Sequence, residues 1–167
     1  MTIADFDNLQ IDEKKRLLAQ CCNSSSWIKK MIEIFPVQDL VDLLEYAEEE
    51  WYDCNPAEWL EAFENHIKIG DIQSIEKNTI INANWVRNEQ AIFFNASAET
   101  LSQLEKKNEL YEETFGYNFI IFTREKTIEE IFEAFSNRLE NDPKDELLIA
   151  AGEQNKITQT RLQQLFR

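Results

Sequence analysis

Asn55-Pro56-Ala57-Glu58-Trp59-Leu60-Glu61-Ala62-Phe63-Glu64-Asn65-His66 spells a helix with a marked beginning. Asn55 is a capping side chain, Pro56 suits the first helical position, where its missing N–H leaves nothing unpaired, and Glu58 follows two residues later. Trp59, Leu60 and Phe63 fall at helical spacing, and His66 lies at or just beyond the C-terminus. The same punctuation recurs on both sides. Upstream, a helix around residues 11 to 22 carries Leu17, Leu18 and Cys21 on one side, and Ser24, Ser25 and Ser26 offer a cap before Trp27, Ile28, Met31 and Phe35, with Pro36 as the stop. Gln38 to Trp51 places Leu40, Leu43, Leu44 and Ala47 on one face, with Glu45, Glu48, Glu49 and Glu50 turned to solvent.

Downstream, a helix runs from Asn84 through Glu89 and Gln90, and Ser97-Ala98-Glu99-Thr100 opens a longer one that Gly116 closes. Thr127-Ile128-Glu129-Glu130 fits a capping box for a helix to about Leu139, and Asp142-Pro143 starts a final helix towards Leu165. Residues 71 to 83 are less periodic and are expected as a connecting loop with a short turn. Tyr117-Asn118-Phe119-Ile120-Ile121-Phe122-Thr123 has the composition of a strand, but it is short and has no partner elsewhere in the sequence. The expectation is therefore an all-α fold, one compact multi-helix domain over residues 1–167, with a short extended connector buried near 117–123.

Bulk properties narrow the functional classes. A chain of 167 residues that is 43% apolar is large enough to bury about two thirds of its unfolded surface in one core. A formal charge of −15 repels phosphates, and the 17 basic residues gather on no obvious stretch, so neither nucleic acid nor an anionic membrane is an expected partner. No apolar run approaches a membrane span, and Met1-Thr2-Ile3-Ala4-Asp5-Phe6-Asp7 lacks the basic start of a secretory leader. The ending, Gln164-Leu165-Phe166-Arg167, is not a peroxisomal address. Cys21, Cys22 and Cys54 match neither a disulfide framework nor a zinc site in their spacing. Together these point to a cytoplasmic protein with reduced, buried thiols.

Three places set polar or extended features beside apolar ones. His66 is the only imidazole, and the only ordinary side chain whose unperturbed pKa, about 6.5, lies near neutrality. Glu89 and Gln90 sit between Trp85-Val86 and Ala91-Ile92-Phe93-Phe94, and together they accept and donate hydrogen bonds in the alternation that a ring of N–H and C=O groups presents. The strip Phe119 to Thr123 leaves backbone groups that a helix would have consumed, and those groups need partners.

The order of these pieces resembles the family of 2-oxo-4-hydroxy-4-carboxy-5-ureidoimidazoline (OHCU) decarboxylases. Cys21-Cys22-Asn23-Ser24-Ser25-Ser26-Trp27 looks like the family's Cys-Gly-Ser-x-x-Trp region, His66-Ile67-Lys68-Ile69-Gly70-Asp71 is similar to its His-Pro-x-Ile-Gly-Asp block, and Asn88-Glu89-Gln90-Ala91-Ile92 to its Ser-Glu-Gln-Ala-Gly block. Asn108, Tyr111 and Phe115-Gly116-Tyr117-Asn118-Phe119-Ile120-Ile121 follow its Asn-x-x-Tyr-x-x-x-Phe-Gly-Phe-x-Phe-Ile stretch, and Arg138-Leu139-Glu140-Asn141, Ile157-Thr158 and Arg161-Leu162 close the series. Each motif alone is weak, and their joint order is specific.

The resemblance implies an all-α enzyme that needs no metal or organic cofactor and converts the ureidoimidazoline acid to (S)-allantoin with loss of carbon dioxide. It implies His66 as the catalytic residue with Glu89 beside it, and a substrate held by Ile67, Asn88, Gln90, the backbone of Phe119, Ile120, Ile121, Phe122 and Thr123, and Arg161 as a grip on the carboxylate. A homodimer is a further implication. Three positions depart from the family pattern: Ile67 stands for Pro, Asn88 for Ser and Ile92 for Gly, the last adding bulk near the expected pocket. The competing expectations are a relative with altered or lost activity, and an acidic helical module that binds a protein partner through Trp27, Trp51 and Trp59.

Overall fold

A computed structural model describes residues 1–78 and 80–167. Nearly all of its regular structure is helical, and no strand occurs among the described residues. The chain divides into two compact units: Met1–Asn65 together with Gln154–Arg167, and His66–Glu153.

The first unit holds α1 (Ile3–Asp7), α2 (Ile11–Cys21), α3 (Ser25–Glu33), α4 (Leu40–Tyr52) and α5 (Pro56–Glu64), and takes in the later part of α9 (Pro143–Leu165). Local chemistry sets the helix starts. The Asn55 side chain accepts from the N–H groups of Ala57 at 2.9 Å and Glu58 at 3.3 Å, and the Glu58 carboxylate accepts from the Asn55 N–H at 2.7 Å. That reciprocal pair satisfies orphan donors of the first turn. Asp39 caps α4 through Val41 and Asp42. The short α1, which the sequence reading did not place, has the same device: Thr2 Oγ1 accepts from Asp5 N at 3.1 Å and the Asp5 carboxylate accepts from Thr2 N at 3.0 Å. These hydrogen bonds hold the Asp5 carboxyl below its ordinary range.

Tryptophans fill the middle of this unit. Trp27 and Trp51 are sealed from solvent and Trp59 is 7% exposed. The indole N–H groups of Trp27 and Trp59 are used internally, Trp27 Nε1 donating to Ala47 O at 3.0 Å and Trp59 Nε1 to Trp51 O at 2.9 Å. Side chains committed this way cannot form an outward face, so the partner-binding module built on these three residues is set aside.

Cys21, Cys22 and Cys54 are free and buried. Burial pushes the Cys22 thiol up from 9.0 to about 12 and the Cys54 thiol up to about 11. Both stay protonated at neutral pH. Because folded values raised in this way favour the thiol form, their contribution to stability is whole below about pH 9 and is lost as the pH climbs through 11 to 12. Native protein at pH 8 is expected to resist iodoacetamide for hours, with all three cysteines alkylated once urea unfolds the chain. Mass spectrometry reads the outcome, and rapid labelling of the native state would contradict the assignment.

The second unit comprises α6 (Ala83–Glu89), α7 (Ala98–Phe115), α8 (Ile128–Leu139), the beginning of α9, and tight helical turns at Ile72–Lys77 and Ala91–Phe93. The first of these turns lies in the stretch expected as a connecting loop with a short turn; Thr79, in that same stretch, lies outside the described residues. Asn82, Ser97 and Thr127 cap α6, α7 and α8. Gly116 ends α7 with φ 83°, in the left-handed region, and a Cβ built there meets nothing within 4 Å. Only the backbone conformation opposes a side chain, so Gly116→Ala is expected to cost about 1 kcal/mol, measurable as a lowered urea midpoint.

Its core gathers Ile69, Phe93, Leu104, Tyr111, Phe119, Ile121, Ile131 and Phe135. Residues 117–123 form the expected extended connector: Phe119, Ile120, Ile121 and Thr123 are buried, and the Phe119 ring stacks on Phe135 with centroids 3.7 Å apart. A buried polar knot holds this connector. Arg138 donates to Glu146 Oε1 from Nε at 2.7 Å and to Ile120 O from NH1 at 2.6 Å, while its guanidinium lies 4.3 Å from the Phe119 centroid. Glu146 also accepts from Tyr111 OH and from Asn141 Nδ2. Burial pushes the Tyr111 hydroxyl well above the ordinary tyrosine range. No described helix is long and apolar enough to cross a membrane.

Candidate active site

The His66 block, the end of α6 and the connector belong to the same unit, and side-chain-to-backbone hydrogen bonds tie them together. Asn118 Nδ2 donates to His66 O at 3.2 Å. Thr123 Oγ1 donates to Glu89 O. Gln90, 4% exposed, spans the loop after His66: its Oε1 accepts from Gly70 N at 2.9 Å and its Nε2 donates to Lys68 O at 3.3 Å. From the other side Asn108 Nδ2 donates to Ile69 O at 2.8 Å. The loop 66–71 is thus gripped at four backbone positions, those of His66, Lys68, Ile69 and Gly70, and the loop, the end of α6 and the connector are tied to one another through their main chains.

Gly70 makes that grip possible. It sits at φ 85°, and a Cβ there would stand 3.0 Å from Leu104 Cδ1. Only glycine allows the loop to press this closely against α7 without strain.

Several expected ligand groups are already engaged. Gln90's amide serves the loop, which leaves one Nε2 hydrogen and one Oε1 lone pair for anything else. In the connector, Arg138 binds the Ile120 carbonyl and the Glu153 carboxylate accepts the Phe122 N–H at 2.7 Å. Ile67 packs against the small cluster of Ile75, Ile81 and Val86, and Ile92 against the main core, so both bulky departures have apolar neighbours. The Asn88 side chain is exposed on α6, and His66 and Glu89 are partly exposed. Arg161 lies in the other unit, 2% exposed, where NH1 donates to Gln20 O at 3.4 Å and Cys21 O at 3.5 Å. Among the described residues, no three His, Cys, Asp or Glu side chains gather as a metal-holding group.

The profile describing OHCU decarboxylase matches residues 7–163. The chain belongs to the OHCU decarboxylase family. It is 37% identical over 147 residues to the uric acid degradation bifunctional protein TTL of Arabidopsis thaliana, covering 87% of this chain and 45% of that protein. It is 36% identical over 66 residues to the 2-oxo-4-hydroxy-4-carboxy-5-ureidoimidazoline decarboxylase of Amia calva, covering 40% of this chain and 38% of that one. The matched stretch therefore spans less than half the length of either relative. A crystal structure of OHCU decarboxylase in the presence of (S)-allantoin superposes with a TM-score of 0.73 at 35% identity, covering 87% of this chain and 94% of that one.

Against the OHCU decarboxylase family pattern, the sequence points to residues expected to contact a substrate and is silent on several that hydrogen-bond to the connector and to the loop after His66. Thr123 was named for its backbone, yet its hydroxyl anchors Glu89. Asn118, Arg138, Glu146 and Glu153 were given no supporting role. A signal existed for Arg138: it follows Ile131 and Phe135 at spacings of seven and three, so a charge falls in the buried stripe of α8.

Proposed function

We propose that this OHCU decarboxylase family member converts 2-oxo-4-hydroxy-4-carboxy-5-ureidoimidazoline to (S)-allantoin and carbon dioxide, as a carbon–carbon lyase of urate breakdown. The observation that carries the reading is the hydrogen-bonded convergence of 66–71, 88–90 and 118–123, the three stretches whose order matches the family. Loss of carbon dioxide leaves an electron pair on the ring carbon, and the adjacent C=N bond of the substrate accepts it. No metal, pyridoxal or thiamine is required by that chemistry. What remains for the protein is to orient the carboxylate, offset charge developing on the ring and deliver a proton to one face.

In this reading His66 handles the proton of the ring hydroxyl, and Glu89, on an α6 terminus pinned by Thr123, accepts from the ureido or ring N–H groups. Asn88 and the remaining capacity of Gln90 add hydrogen bonds, Ile67 lines the site, and the connector Phe119–Thr123 supplies backbone groups to the ring oxygens. Arg161 is proposed for the carboxylate on its motif position and on the chemistry of a buried guanidinium. One functional domain over 1–167 is consistent with a family match that runs through both units. A cytoplasmic setting agrees with three buried free thiols, and a homodimer is testable by sedimentation equilibrium.

The test is direct. Purified protein added to freshly generated substrate is expected to speed carbon dioxide release and to yield allantoin with a circular dichroism signal, where the uncatalysed reaction gives a racemate. Racemic product at the uncatalysed rate would refute the proposal.

A further inference from the structure

The geometry points to Glu153 and Arg138 as positioning residues that act on a ligand through the backbone of Ile121, making its N–H and C=O a polarised pair for the N–H and C=O edge of a cyclic ureide. Only the choice of ligand rests on the proposed function.

Two charged side chains hold the connector around Ile121. Arg138 NH1 donates to the carbonyl of Ile120 at 2.6 Å, and the Glu153 carboxylate accepts from the N–H of Phe122 at 2.7 Å. Those groups belong to the two peptide units that meet at Ile121. Both units are trans, and in a trans peptide the C=O and the N–H point in opposite directions. The Ile121 N–H is therefore aimed away from Arg138, and the Ile121 C=O away from Glu153. Extended backbone sends the N–H and C=O of one residue to the same edge. Ile121 is 5% exposed, and neither of its backbone groups is hydrogen-bonded among the described residues. Buried main-chain groups are rarely left so, and this pair calls for an acceptor and a donor side by side.

The two charges act in the same sense. A cation on the Ile120 carbonyl draws electron density through that peptide and makes the Ile121 N–H a stronger donor. An anion on the Phe122 N–H pushes density through the next peptide and makes the Ile121 carbonyl a stronger acceptor. Hydrogen bonds in series reinforce one another in this way, and those to charged groups are roughly twice as strong as neutral ones. A flat ring with N–H beside C=O meets both groups at once, in the two-bond exchange that opposed residues make in an antiparallel ladder. Residues close by in the same connector reach the rest of the site: Asn118 binds the His66 carbonyl and Thr123 the Glu89 carbonyl.

The experiment titrates hydantoin, a five-membered ring with adjacent N–H and C=O groups, into the full chain and follows the assigned amide and carbonyl-carbon resonances of Ile121 by NMR. Two variants accompany the parent. Glu153→Gln keeps an acceptor for Phe122 without the charge, and Glu153→Asp keeps the charge one methylene short. The expected results are a saturable shift of both Ile121 resonances in the parent, a displaced Ile121 carbonyl carbon in ligand-free Glu153→Gln, and at least about threefold weaker hydantoin affinity in both variants. Should one variant not fold, the other decides the role of the charge. No saturable shift at Ile121 in the parent, the same shift with 1,3-dimethylhydantoin, which has no N–H, or parental affinity in the folded variants would overturn the assignment. Hydantoin binding is read without turnover. A protein that binds it as expected and releases no carbon dioxide loses only the decarboxylase reading, and an active one whose Ile121 does not respond loses only this assignment.

Discussion

Replacing His66 by Ala is expected to slow enzymatic carbon dioxide release by at least about a hundredfold while leaving the fold intact, since positioned general acid–base catalysis contributes on that scale or more. The fold should survive because the block is held through its backbone: Asn118 binds the His66 carbonyl, Gln90 binds Lys68 and Gly70, and Asn108 binds Ile69. None of these contacts uses the imidazole. Far-ultraviolet circular dichroism and the urea midpoint of the variant should therefore stay close to those of the parent. Steady-state measurement over a range of substrate concentrations separates the two ways the rate can fall. A group that moves a proton in the transition state lowers kcat and kcat/KM together, whereas a group that only binds raises KM. An unchanged kcat in His66→Ala would end the proposed proton role, whatever the product.

The second large effect lies away from the side chains proposed to face the substrate. Arg138→Leu is expected to destabilise the protein by about 3–5 kcal/mol, because it strands the Glu146 carboxylate, which has no solvent exposure, among Tyr111, Asn141 and apolar rings. It also removes the donor for the Ile120 carbonyl and the cation over the Phe119 ring. Urea unfolding at neutral pH measures the loss. Removing the carboxylate as well, in Arg138→Leu with Glu146→Leu, should restore much of it, since an apolar pair of similar volume leaves no buried charge behind. If the single variant unfolds at the parental midpoint, the knot does not hold the connector.

Helix ends were legible because their chemistry is local. Asn55 with Glu58, Ser97, Thr127 with Glu130, and Gly116 each act within a few residues of themselves, and each stands where the sequence puts it. The box at Thr2 and Asp5 is equally local, but it opens a helix of only five residues, too short for apolar periodicity to register. The connector was legible for a different reason: an apolar stretch with no strand to pair with must be buried by helices. What could not be read were jobs that depend on chain brought from far away. Gln90 looks like a ligand group beside Glu89, and its contacts to Lys68 and Gly70 are visible only once the loop is folded against it. Glu146 sits in the acidic first turn of α9, where carboxylates suit the helix dipole and ordinarily face water, so nothing nearby announced its burial.

The two units differ in how they are threaded. His66–Glu153 is one continuous stretch, while the other unit joins the first 65 residues to residues 154–167. On a ribosome every residue of the continuous unit has been polymerised before the discontinuous one receives its last segment. Residues 1–65 must therefore wait, with Trp27, Trp51 and Trp59 already translated, until residues 154–167 arrive, and during that interval their exposed surface is what a nascent-chain chaperone would meet.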